Sequence, residues 1–146
     1  MTESGPEKTI LTALHLPGLR TVAGSYPVPL EAIEAVRHIS EWCRQRDIKD
    51  DHPFRLGKCV QNHSTKKYRI LLEGEIPHDW QKALINLLKS NLPEFRVRAD
   101  TLRDEKLFLL HLLLHEIGHA LHNEWGENEC DQWSFEELPR HAPTRG

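Results

Sequence analysis

The chain has 146 residues, 38% of them hydrophobic and 28% charged, and a net charge of −3 with histidine neutral. That length suits one domain with one core, and the composition is too apolar for a disordered chain. A slightly acidic balance argues against a general nucleic-acid binder; the few clustered cations, Lys66–Lys67 and the Arg96/Arg98 pair, read as a solvated face.

Residues 1–8 read as a flexible tail. Pro17, Gly18, Gly24, Pro27 and Pro29 make the stretch 9–28 irregular or briefly extended. A helix is predicted from about Pro29 to Arg46, with proline at its start and Ile33, Val36, Ile39 and Cys43 at helical spacing; the run DDHP ends it. FRLGKCVQ and KYRILLEG are β-rich and flank the turn NHSTK, which predicts a hairpin at roughly 54–60 and 67–73. HDWQKALINLLKSN predicts an amphipathic helix with Trp80, Ala83, Leu84, Leu87 and Leu88 as its apolar face. EFRVRA alternates, which predicts a short strand with Phe95 and Val97 inward.

From Thr101 a long helix begins, capped by Thr101 or Asp104, and carries EKLFLLHLLLHEIGHALHN. Gly126 breaks the chain, ENECDQWSFEEL forms a last helix, and Pro139 opens a polar tail covering 140–146. No internal repeat is visible. The order predicts one α+β domain over 1–146 with a small sheet.

No run approaches the ~20 apolar residues of a membrane helix; LFLLHLLL is short and contains His111. The N-terminus lacks the basic-then-apolar build of a signal peptide. Cys43, Cys59 and Cys130 are odd in number and form no CxxC, which favours free thiols in a reducing cytoplasm.

The chemistry concentrates in LLHEIGHALHNEWGENECDQWSFEEL. His115-Glu116-Ile117-Gly118-His119 is an HExxH motif. Four residues advance a helix by about 400°, so the two imidazoles stack one turn apart, about 40° from each other, and both reach one metal ion. Glu116 projects near the same face, placed to take a proton from an activated water. The motif alone is only moderate evidence in a chain with 10 histidines and 15 glutamates. Its setting strengthens it: on so apolar a helix, two histidines and a glutamate need partners, and a metal supplies them.

A catalytic zinc keeps three protein ligands and an open position. The metzincin pattern fails here, because His122 stands where glycine is required and Trp125 where the third histidine would be. An acid on the following helix is the better third ligand, from Glu124, Glu127, Glu129 and Asp131. Glu127 and Asp131 share one face and Glu129 points away. Glu127 on the metal with Asp131 fixing a ligand imidazole makes a two-layer arrangement. His111 and His122 read as supporting or solvent-facing, Cys130 as a small core residue, and Trp125 and Trp133 as packing. Tyr26, Tyr68 and His141 are each able to stabilise an oxyanion, and nothing in the sequence selects among them.

HEIGHALH, followed by Glu127-x-x-Cys130-Asp131-x-Trp133-Ser134 and Leu138-Pro139, resembles the ImmA/IrrE-type metallopeptidases and, more distantly, the gluzincins, whose glutamate helix reads E-x-x-A-[DN]. The resemblance covers about residues 105–139, with cysteine at 130 in place of the usual alanine. It implies zinc ligation by His115, His119 and Glu127 with Glu116 as general base. It also implies a zincin-like fold: a small mixed β-sheet packed on the HExxH helix, followed by the glutamate helix. The expected function is zinc-dependent hydrolysis of a peptide or protein substrate, and the family suggests regulatory cleavage of a partner such as a transcriptional repressor. Two other readings stay open: an inactive zincin-like binding module, and a structural zinc site closed by His122 or Cys130.

Overall fold

The structure, a computed structural model, describes residues 9–49 and 56–141. The tail at 1–8, the DDHP stop, the first two residues of the predicted hairpin and the tail from 142 lie outside the described residues. In chain order the elements are β1 (Thr9–Leu11), α1 (Leu16–Ala23), β2 (Leu30–Val36), α2 (Ile39–Gln45), β3 (Gly57–Gln61), β4 (Tyr68–Glu73), β5 (Glu75–Pro77), α3 (His78–Asn91), α4 (Arg96–Asp100), α5 (Glu105–Leu121) and α6 (Glu127–His141). The architecture is α+β.

The main sheet has the order β2-β4-β3, with β2 parallel and β3 antiparallel to the central β4. A separate antiparallel pair joins β1 to β5. The β3–β4 hairpin matches the sequence expectation. β4 is central because YRILLE is apolar on both sides: Ile70 and Leu72 face the main core, while Leu71 meets Ile39 and Cys43 of α2 on the other face. α5 lies in the main core and is buried without a break from Phe108 to Gly118. A helix apolar all round has to be an inner helix. Its start is fixed by Asp104, whose side chain accepts from the Leu107 backbone N–H at 3.0 Å.

Four elements differ from the sequence expectations. Residues 16–23 form a helix, with Leu19 and Ala23 buried, where irregular chain was expected. The helix expected from Pro29 to Arg46 is a strand and then a short helix. Leu30–Val36 pairs with β4, and Arg69 of that strand holds Glu31 at 2.8 Å and also contacts Glu34. Pairing with an already formed strand overrides the local helical propensity of LEAIEAV.

The strand expected over EFRVRA is a tight turn followed by α4, and Val97 is 80% exposed. Leu92, Phe95, Ala99 and Leu102 recur at helical spacing, and Phe95 stacks on Phe135 at 5.4 Å. Finally, α6 runs through Pro139 to His141 instead of ending at the proline.

α3 forms as expected but is rotated. Gln81, Ile85 and Leu88 are buried, Ala83 is exposed and Leu87 is 54% exposed. Gln81 turns inward because its amide donates to the carbonyls of Leu102 at 2.8 Å and Arg103 at 3.2 Å. These carbonyls end a helical turn and need donors.

Candidate metal centre

His115 and His119 lie one turn apart on α5, and Glu127 opens α6. A five-residue connection, His122 to Gly126, returns the chain so that the two helices pack together. Two glycines set the close approaches. A Cβ at Gly118 would meet Cys130 Sγ and Trp133 Cε3 at 3.4 Å, so α6 sits directly on α5 there. A Cβ at Gly57 would meet Glu116 Oε2 at 2.9 Å, so β3 passes directly over the motif glutamate.

The donor atoms converge. His115 Nε2 is 2.9 Å from Glu127 Oε1, His119 Nε2 is 3.1 Å from Glu127 Oε2, and the two Nε2 atoms are 3.2 Å apart. A tetrahedral zinc with bonds of about 2.0–2.1 Å spaces its donors by about 3.3 Å. Among the described residues, these three are the group of histidine, cysteine and acidic side chains gathered closely enough to hold an ion. Two imidazoles and one carboxylate gathered in this way make a donor set of the kind that zinc prefers.

Behind these three side chains is a buried hydrogen-bonded chain. Asp131 Oδ1 lies 2.6 Å from His115 Nδ1 and 3.2 Å from His111 Nε2. His111 Nδ1 is 2.8 Å from Ser134 Oγ. With Nδ1–H of His115 donated to Asp131, Nε2 is the ring nitrogen directed at His119 and Glu127. Burial pushes the His111 pKa down, so this ring is neutral and donates one N–H to Asp131.

Burial also opposes charge on His115, but hydrogen bonds to Asp131 and Glu127 and the nearby Glu116 outweigh it. Its pKa is raised well above the usual value. Bonds from His115 and then His119 hold Glu127 far below the usual carboxylate range. Burial works against ionisation of Asp131, yet His111 and His115 lower it to about 2. The carboxylates of Asp131 and Glu127 thus favour positive charge at His115.

The remaining sequence candidates separate clearly. Glu129 turns away and its Oε1 accepts from Gly126 N at 2.7 Å, the capping-box contact of a third helical position. His122 stacks on Trp125 at 3.8 Å and pairs with Glu124 at 3.8 Å, outside the group. Cys130 is buried between the helices, and burial raises its thiol pKa to about 12. Trp133 packs against the core and, edge-on, against Tyr26. Tyr26 is bonded to Glu137 and His141, both at 2.7 Å, while Tyr68 shares a cavity with Glu116 and His119. Sequence reasoning assigned no role to Gly57 or Ser134. Ser134 sits three residues after Asp131, which was its one visible signal.

Compared with known proteins, the chain matches no family model, no curated protein and no solved structure.

Proposed function

We propose that the chain is a zinc-dependent peptidase of the HExxH type with a zincin-like fold. The observation that carries this reading is the convergence of His115, His119 and Glu127, with Glu116 beside them and Asp131 behind. A zinc ion bound there supplies Lewis acidity toward a carbonyl and lowers the pKa of water. His115, His119 and Glu127 hold it, and Asp131 keeps His115 in the ligating tautomer. Glu116, on the same helix and under β3, accepts a proton from water and passes it to the leaving amine. Water and the peptide bond thus become a carboxylate and an amine.

β3 is the route for the substrate. Glu73 N donates to Leu56 O at 2.9 Å and Asn62 N to Lys67 O at 2.8 Å, which fixes the phase of the β3–β4 ladder. Alternate residues point outward in such a ladder, so Gly57, Cys59 and Gln61 turn their backbone groups to the open edge. A peptide added there is held by its main chain, next to Glu116.

The partner stays with the family analogy: a regulatory protein such as a transcriptional repressor, met in the reducing cytoplasm that suits Cys43, Cys59 and Cys130 as free thiols. No helix among the described residues is long and apolar enough to cross a membrane.

The test is Glu116→Gln, assayed on fluorescein-labelled casein. Zinc content and fold should be unchanged while hydrolysis falls by about 10²–10⁴-fold. Undiminished cleavage would move the activity elsewhere, and absent cleavage by the wild type would favour the binding-module reading.

A further inference from the structure

His115, His119 and Glu127 lie between two cavities, one with a large apolar wall and one mainly polar. One, of about 310 Å³, has an apolar wall of Leu56, Leu84, Leu87 and Leu112 and reaches His115 and Glu127. The other, also about 310 Å³, is faced by Lys58, Gln61, Tyr68 and Asn123 and reaches His119. Glu116 borders both.

The apolar wall is assembled from three elements. Leu56 enters β3, Leu84 and Leu87 lie three residues apart on α3, and Leu112 belongs to α5. Leu87 is 54% exposed, so the rotation of α3 that buries Gln81 also leaves a large aliphatic side chain facing this cavity. Covering such a side chain gains free energy only when something apolar arrives.

The open edge of β3 links the two cavities, from Gly57 beside the apolar one to Gln61 beside the polar one. Those residues span about 13 Å, about four residues of an extended peptide.

Resting on the peptidase reading, we propose that the site takes an extended segment from the interior of a polypeptide. A large aliphatic or aromatic side chain of that segment seats against Leu56, Leu84, Leu87 and Leu112. A polar side chain a few residues away meets Lys58, Gln61, Tyr68 and Asn123. The bond cut lies between them, beside Glu116, and because both cavities continue past it the enzyme is an endopeptidase with an apolar specificity pocket.

A random-peptide display library panned on zinc-loaded Glu116→Gln tests this without turnover. The parent should enrich peptides with leucine, phenylalanine or methionine at one internal position. Leu87→Glu, at a half-exposed position, should cut that enrichment at least about tenfold and substitute lysine or arginine; Leu87→Lys should select acidic residues there. Identical selections from parent and Leu87 variants, enrichment confined to peptide termini, or no enrichment at all would overturn the proposal. Failure of the peptidase reading registers separately, as wild-type protein that binds the selected peptides and cleaves none.

Discussion

A single oxygen, Asp131 Oδ1, is shared by His115 and His111, and it fixes the orientation of both rings. Asp131→Ala should lower zinc affinity by about 10–100-fold, as expected when the partner of a ligand imidazole is lost. Glu127→Ala should cost more, because a ligand disappears. Glu129→Ala should leave affinity nearly intact while destabilising the fold by about 1 kcal/mol through the lost cap. Competition with a chromophoric chelator ranks the three, and if Glu129→Ala proved the worst binder, α6 would be rotated relative to this account. The charges also fix a pH dependence. His115 has a raised pKa, so the ion-free protein carries its proton near neutrality, and zinc must displace it. Zinc affinity should therefore rise with pH until the raised pKa is passed. Titration calorimetry of chelator-treated protein in buffers of different ionisation enthalpy should detect release of about one proton; identical heats in both buffers would contradict it. For folding the signs are opposite. The raised His115 pKa stabilises the ion-free protein fully below about pH 6.5, and that contribution is lost as pH rises through the folded value. The depressed Asp131 pKa contributes above about pH 3.9, lost as pH falls toward its folded value of about 2.

The contact between α5 and α6 turns two sequence-distant segments into one site. A Cβ at Gly118 would stand in ordinary contact, 3.4 Å from Cys130 and Trp133, with no room beyond it. Gly118→Ala should therefore retain zinc and match or exceed wild-type stability by up to about 1 kcal/mol, from helix propensity. Gly118→Val should push α6 away, costing about 1–3 kcal/mol and weakening zinc binding. Thermal denaturation with and without zinc checks both; equal behaviour of the two variants would mean that the helices do not meet at this glycine. The shared faces of His115 with His119 and of Glu127 with Asp131 were legible in the sequence because helical geometry depends on local spacing. The β3–β4 hairpin was legible from its own turn and alternation. β2 was not, because LEAIEAV carries a helical pattern and becomes a strand only through its partner β4. The rotation of α3 was hidden for a similar reason, since the pull on Gln81 comes from carbonyls 21 and 22 residues away. The same limit concealed Gly57, whose importance lies in its approach to Glu116 across the core.

At the scale of the molecule, a three-stranded mixed sheet covers one side of α5, which is buried from Phe108 to Gly118, and α6 packs on another, with His115, His119 and Glu127 where the three meet. The apolar length of α5 anchors the cluster, β3 offers an open edge beside it, and α6 closes it with one carboxylate on the ligand point and one behind. All of this acquires purpose only if an ion occupies the point at which His115, His119 and Glu127 converge. Elemental analysis of the purified chain, before and after chelation and re-addition of zinc, addresses that directly. The wild type should hold about one zinc per chain, as one three-ligand site requires, and His119→Ala should hold none. A folded wild type that carries no metal and takes up none from zinc-containing buffer would contradict the account at its centre.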